Sequence, residues 1–143
     1  MLADFGGAHL GYGLGGGLGN ERGGFRHGLD LALLPVFVSK HQSSRIESWK
    51  GYAFGASGMV GLGDTPTFLG PDFAYGSSSI GGVSGGGALV YRFKKERCPA
   101  GFGISGRATL DFLFIQTGLR LTLLTGGGTT EGIVTLSLGV GRF

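Results

Sequence analysis

The chain has 143 residues, which is enough for one domain, 1–143, but too few for two ordinary cores. Glycine accounts for 33 residues, yet there is no Gly-X-Y period and there are only 4 prolines, so a collagen-like fold is excluded. Charged residues make up 15% of the chain, against about 25% in soluble domains, and the net charge of +3 is small and mostly scattered, so no nucleic-acid partner is expected.

Targeting and crosslinking features are few. Cys98 is the single cysteine, so no internal disulfide can form. No apolar run approaches the roughly 18 residues that a membrane-spanning helix needs. Met1 to Asp4 lack the basic start and the apolar segment of a signal peptide, so an exported protein with this sequence would be a mature form.

Apolar residues alternate with glycine, serine or an isolated charge along most of the chain, which is typical of strands. A helix is disfavoured because each glycine would cost about 1 kcal/mol relative to alanine. The polar segment 40–48 and the segment 64–72, which contains two prolines, are predicted loops. The predicted strands are Phe5 to Leu18, Phe25 to Ser39, Trp49 to Gly63, Phe73 to Ser77, Gly81 to Phe93, Phe102 to Phe114, Leu119 to Leu123 and Glu131 to Phe143.

The short strand Phe73 to Ser77 decides the strand count. With it the chain has eight strands and without it seven, and eight is preferred because single-chain bacterial barrels use even numbers. Pro35 lies inside the second strand and implies a bulge or an irregular strand end. The sequence therefore predicts an all-β protein, a closed antiparallel transmembrane β-barrel.

The two faces of the predicted strands differ in chemistry. One face carries bulky apolar and aromatic residues, and we expect it to contact lipid. Its aromatic members, predicted to face lipid or form interfacial girdles, are Phe25, Phe37, Tyr52, Phe54, Tyr91, Phe93, Phe102, Phe112 and Phe114. The other face carries small residues and ionisable groups, which we expect to form a packed network of Arg and Asp pairs in the lumen, because unpaired buried charges are costly. The predicted network contains Arg26, Asp30, Arg92, Arg107, Asp111 and Arg120.

Aromatic spacing gives a length comparable to a membrane. Phe25 and Phe37 are 12 residues apart, as are Phe102 and Phe114. At about 3.3 Å per residue and a tilt of about 40–45°, this spacing covers roughly 30 Å vertically, close to an apolar band about 25 Å tall.

The last segment, Val134 to Phe143, alternates apolar residues and ends in an aromatic. In this respect the chain resembles the bacterial outer-membrane β-barrel family, particularly its small eight-stranded members. The resemblance implies location in the bacterial outer membrane, contact with membrane lipid or lipopolysaccharide, and recognition by the barrel-assembly machinery through Phe143. Val134 and Val140 share parity with Arg142 rather than Phe143, so a bulge near Gly139 or Gly141 would be needed to bring the terminal aromatic into phase.

No motif for catalysis or cofactor binding is evident. His9, His27 and His41 lie on separate segments without metal-ligand spacing, and neither a Gly-x-Ser-x-Gly elbow nor a Walker phosphate loop is present. We therefore expect no catalytic residue, no metal and no cofactor, and a non-enzymatic barrel with a narrow or plugged lumen in a structural, adhesive or accessory role, or as a narrow channel. The alternatives are a soluble lipocalin-like barrel with an apolar ligand inside, and a β subunit of a larger membrane assembly.

Overall fold

The computed structural model describes residues 8–18, 25–42, 48–63, 65–78, 81–94, 100–113 and 115–142, without the side chains of residues 18, 35–42, 48–50, 78, 129 and 142. The strands within these residues are β1 (Ala8–Leu18), β2 (Phe25–Gln42), β3 (Ser48–Leu62), β4 (Phe68–Ser78), β5 (Gly81–Arg92), β6 (Gly101–Phe112), β7 (Ile115–Gly126) and β8 (Thr129–Arg142).

The strands form one closed antiparallel barrel. Each strand pairs with the next in chain order, and β8 pairs with β1. The predicted all-β, closed antiparallel barrel of eight strands is thus confirmed. In the part of the chain described, no helix has the length and apolar character to cross a membrane. We call the end where β1 begins and β8 ends the terminal end, and the other the opposite end.

Alternation along each strand separates two chemistries. In β7, Leu119 and Leu121 are exposed on the outside, whereas the alternating residues Arg120 and Thr122 are buried inside. The same alternation runs through β5 and β6. The barrel therefore presents apolar side chains outward and polar ones inward, the reverse of a soluble barrel with an apolar cavity. The lipocalin-like alternative placed Leu, Phe and Tyr around an inner cavity, and this arrangement contradicts it.

β4 corrects the predicted loop 64–72. The strand starts at Phe68, so Pro71 and Asp72 belong to it, and the predicted short strand Phe73 to Ser77 is its second half. Pro71 pairs with Ala56 of β3 but has no partner in the β4–β5 ladder. Proline lacks an N–H, so pairing on one side only allows it to lie inside a strand. The sequence had predicted a loop at this position.

The bulge predicted at Pro35 is confirmed by a register shift between Leu33 and Val36 in the β2–β3 ladder. The shift lies between Phe25 and Phe37, and in the shifted register Phe37 pairs with Ala53. The side chain of Phe37 lies outside the described residues, so the 12-residue spacing from Phe25 to Phe37 stays a prediction.

Two other predicted features also change. β6 ends at Phe112 and Leu113 adopts a positive φ of 56°, so the chain turns before Phe114, which lies outside the described residues. The 12-residue spacing from Phe102 to Phe114 therefore stays a prediction. β8 pairs with β1 in continuous register from Gly132 to Arg142, so the bulge predicted near Gly139 or Gly141 is not found. Phe143 itself lies outside the described residues.

Candidate functional site

The centre of the barrel is occupied by a buried guanidinium. Arg120 on β7 reaches across the interior to Asp30 on β2, with Nη2 2.7 Å from Oδ1 and Nε 3.4 Å from Oδ2. Its Nη1 donates to the hydroxyl oxygens of Ser105 at 3.1 Å and Ser57 at 3.4 Å. Arg120 and Asp30 are 1% and 2% exposed, so the charges are compensated inside the protein rather than by water.

A second ion pair adjoins the first. Arg107 on β6 donates to Asp72 on β4, with Nη2 3.1 Å from Oδ1. The Ser57 hydroxyl donates to the other carboxylate oxygen of Asp72. Ser57 therefore bridges the Arg120 and Arg107 pairs, and the four ionised groups and one hydroxyl form a continuous network across β2, β3, β4, β6 and β7. We call these residues the central network.

Buried hydroxyl pairs extend this polar interior. Ser84 of β5 is hydrogen-bonded to Thr109 of β6. Ser105 of β6 is hydrogen-bonded to Thr122 of β7 at 3.0 Å. These short side chains satisfy one another across neighbouring strands, so the interior stays polar without leaving those groups unpaired.

The interior at the opposite end is closed by a separate charged group. Glu131 of β8 accepts from Arg26 of β2 at 3.1 Å, and its second oxygen lies 3.7 Å from Arg92 of β5. On β8 the buried side chain of Ile133 lies between Glu131 and Thr135. Thr135 pairs with Arg120 of the central network in the β7–β8 ladder. An apolar layer therefore separates this charged group from the central network, and its members are Met59, Phe68, Ala88, Val90, Leu124 and Ile133.

The structure brings all six predicted lumen residues to the interior but assigns partners that the sequence did not indicate. Arg26, Asp30, Arg92, Arg107, Asp111 and Arg120 all have inward side chains. Two carboxylates that complete the ion pairs, Asp72 and Glu131, were missed. Asp72 lay in a predicted loop, and Glu131 was the first residue of the last predicted strand. With the strand bounds of the structure, the alternation along β4 and β8 would have assigned both side chains to the interior.

The outer face carries the predicted aromatic residues whose side chains are described. Those exposed on the outside are Phe25, Tyr52, Phe54, Tyr91, Phe93, Phe102 and Phe112. Tyr91 packs edge-on against Phe93 and Phe102 at the opposite end, with ring centroids 5.2 and 5.3 Å apart. Tyr52 stacks on Phe73 at 5.4 Å in the half of β3 nearer the terminal end. Whether these groups meet lipid stays a prediction.

A tyrosine and a histidine form a polar pair on the outer face. The Tyr12 hydroxyl oxygen is 2.6 Å from Nδ1 of His27, and the ring of Phe25 stacks on His27 with centroids 5.0 Å apart. The backbone N–H of His27 donates to the hydroxyl of Thr65 at 3.0 Å. No sequence pattern connects Tyr12 with His27, because the two residues meet only through the pairing of β1 with β2.

Comparisons with known proteins give one structural likeness. No family model matches the chain, and no curated protein sequence matches it. Among solved structures, the chain is similar to the crystal structure of the outer membrane enzyme PagL, with a TM-score of 0.47 and 16% sequence identity over 93% of this chain and 97% of that chain. At this identity the likeness is one of fold alone.

This comparison corrects the prediction of a non-enzymatic protein. The structure to which the chain is similar is that of an outer membrane enzyme. The expectation rested on missing motifs, and a closed sheet can bring together residues from distant strands, as with Arg120 and Asp30, without leaving a motif in the sequence.

Proposed function

We propose that the chain is an integral protein of the bacterial outer membrane whose outer face is surrounded by lipid, either phospholipid or lipopolysaccharide. The observation that carries the proposal is the inside-out distribution of side chains. Leu89, Phe102 and Leu138, on three different strands, are 67%, 68% and 64% exposed on the outside. Monomeric soluble proteins rarely expose contiguous apolar patches larger than a few hundred Å², whereas a lipid bilayer removes this cost.

Strand length supports the same proposal. β5, β6 and β7 each contain 12 residues. At about 3.3 Å per residue and a tilt of about 45°, such a strand covers roughly 28 Å along the barrel axis, close to an apolar band about 25 Å tall. Unlike the spacing between phenylalanines, this length is measured on strands without a register shift.

The interior is compatible with such a location. The charges of the central network are paired with one another, so they need no water and no lipid contact. All eight strands close on their neighbours, so the barrel exposes no sheet edge to lipid. Both properties are required of a β-structure that crosses a hydrocarbon layer.

Site-directed quenching tests this location. In a Cys98→Ser background, Leu110→Cys places a fluorophore on the outer face of β6, and Lys94→Cys places one on the exposed segment after β5. After refolding into vesicles, we expect a lipid-phase quencher to act on the label at position 110 and a water-soluble quencher to act on the label at position 94. Equal access of the water-soluble quencher to both labels contradicts the proposal.

Gel mobility separates an autonomous barrel from a subunit of a larger assembly. A barrel that folds alone in detergent is expected to migrate differently before and after boiling, because the closed sheet resists SDS until it is heated. Identical mobility under both conditions, for a chain that has been refolded in detergent, favours the subunit alternative. A purified chain that stays monodisperse without detergent contradicts membrane integration altogether.

A further inference from the structure

The Tyr12–His27 pair contains more hydrogen-bonding groups than the described residues use. Within the part of the chain that the structure describes, the Tyr12 hydroxyl contacts one hydrogen-bonding atom, Nδ1 of His27, at 2.6 Å. A tyrosine hydroxyl can donate or accept, so the direction of this bond depends on the tautomer of His27. When the hydroxyl donates, Nδ1 accepts and the imidazole carries its own proton on Nε2. In that tautomer, on which the inference below depends, Nε2–H is a donor without a partner among the described residues.

The position of His27 places that donor near the rim of the barrel. His27 is two residues from the start of β2 and pairs with Leu62, the last residue of β3. The next residue, Gly63, has a φ of +63°, and a Cβ built there would lie 3.9 Å from Nε2. The donor thus lies beside a turn at the opposite end, with a glycine leaving space around it.

The surroundings of His27 favour an acceptor from outside the protein. Phe25 covers one face of the imidazole ring, and the outward neighbours Leu14 and Leu29 offer no acceptor in their side chains. Among the described residues, none accepts from Nε2. A polar group on a lipid-facing surface that lacks a partner costs free energy, and the interface is where the polar parts of lipids supply acceptors.

We propose that Nε2–H of His27 donates a hydrogen bond to a phosphate oxygen of a membrane-lipid headgroup, with Phe25 against the adjoining apolar part of the same lipid. A phosphate is the strongest acceptor at this depth of the membrane because it is ionised. Phospholipids and lipopolysaccharide both carry this group, so the shared chemistry is the phosphate. The inference rests on the proposed membrane location of the barrel.

Lipid binding measured by native mass spectrometry of the refolded barrel in detergent micelles tests the site. The probes are phosphatidylglycerol, a phosphorylated lipid A and diacylglycerol, which lacks phosphate. For His27→Ala we expect roughly tenfold weaker binding of at least one phosphate lipid, since a hydrogen bond to a charged group is lost, and no change for diacylglycerol. Weaker binding of both phosphate lipids indicates that the site accepts phospholipid and lipopolysaccharide alike. Weaker binding of one of them identifies which lipid class supplies the phosphate.

Tyr12→Phe and Tyr75→Phe form a matched pair of variants. Tyr75 is also exposed on the outer face, on β4, and we expect its substitution to leave phosphate-lipid binding unchanged. Tyr12→Phe removes the hydroxyl that donates to Nδ1 in this tautomer, so binding should weaken and the ¹⁵N spectrum of His27, assigned by its loss in His27→Ala, should no longer show a single Nε2–H tautomer. A parent protein with the Nδ1–H tautomer, or a His27→Ala barrel with unchanged binding of both phosphate lipids, overturns the site.

Heat-modifiable mobility of each variant separates this inference from the proposed location. A parent chain that does not form a barrel in micelles contradicts the proposed function. An inserted barrel that binds phosphate lipids equally well with and without His27 contradicts the headgroup site alone.

Discussion

The ion pair between Arg120 and Asp30 is one of two that adjoin in the middle of the barrel. Arg120 makes a two-point contact with Asp30, and both groups are almost completely shielded from water. In such a place the attraction between the charges serves mainly to offset the cost of burying them. The pair therefore allows charged groups to lie in a narrow lumen. Its effect on the free energy of unfolding should be large only when one partner is removed and the other charge stays buried.

Asp30→Asn tests this interpretation. The substitution preserves shape but leaves the Arg120 charge uncompensated, so we expect the free energy of unfolding to fall by about 3–5 kcal/mol. Chemical denaturation in micelles measures it. The double variant Asp30→Leu with Arg120→Met removes both charges and should recover most of the loss. A change for Asp30→Asn below about 0.5 kcal/mol, the size typical of a surface substitution, contradicts the interpretation.

Gly70 of β4 and Gly106 of β6 provide a matched test of close packing. A Cβ at Gly70 would fall on the carbonyl oxygen of Leu89 in β5, whereas a Cβ at Gly106 would meet nothing within 4 Å. Gly70→Ala must push the β4 and β5 backbones apart, so we expect a loss of about 1–3 kcal/mol and a lower yield of the heat-modifiable form. Gly106→Ala should change stability by less than about 0.5 kcal/mol. Equal losses contradict a packing origin.

At this scale the sequence predicts which way a side chain points but not what it meets. Inward parity alone identified Arg120 and Asp30 as lumen residues, because the strand period is two. Their pairing depends on the stagger of strands around the barrel, which links residues 90 positions apart. The Tyr12–His27 contact was missed for the same reason, since its two residues lie on different strands.

At the scale of elements, the turns decide where the strands end. The alternation of Phe102 to Phe114 continues past the real end of β6, because nothing in an apolar Leu113 signals the positive φ of 56°. In contrast, Gly127 and Gly128 mark the β7–β8 turn in the ordinary way, with φ values of 61° and 78°. Proline misled the prediction at β4 and guided it correctly at β2, since it can occupy either a bulge or a one-sided ladder.

These two turns predict opposite responses to substitution. Leu113 in the left-handed region costs about 1–2 kcal/mol, so Leu113→Gly should stabilise the barrel by up to about 1 kcal/mol after the greater freedom of unfolded glycine is subtracted. Gly128→Ala introduces that cost, and because a Cβ at Gly128 meets nothing within 4 Å, the φ angle alone accounts for a loss of about 1 kcal/mol. Denaturation midpoints measure both changes, and shifts of the same sign contradict the argument.

For the whole molecule, the interior is organised in layers along the axis. The Glu131 group closes the opposite end, the apolar layer follows, and the central network lies beneath it. The ring of Phe68 joins the apolar layer to the central network, because the guanidinium carbon of Arg120 lies 5.9 Å from its centroid. Under the proposed membrane location, lipid would contact the outer face, where the Tyr12–His27 pair also lies.

The outer face should therefore report depth in a membrane. Leu121 lies near the middle of β7 and Ile115 begins it at the terminal end, and both are exposed on the outside. In lipid vesicles, Leu121→Arg should lower the free energy of unfolding by about 2–4 kcal/mol, because the charge lies near the bilayer midplane, whereas Ile115→Arg near the interface should cost about 0–1 kcal/mol. Reversible denaturation from vesicles measures both. On a water-exposed surface the two substitutions would each change stability by less than about 0.5 kcal/mol, so small and equal effects would exclude a lipid-covered outer face.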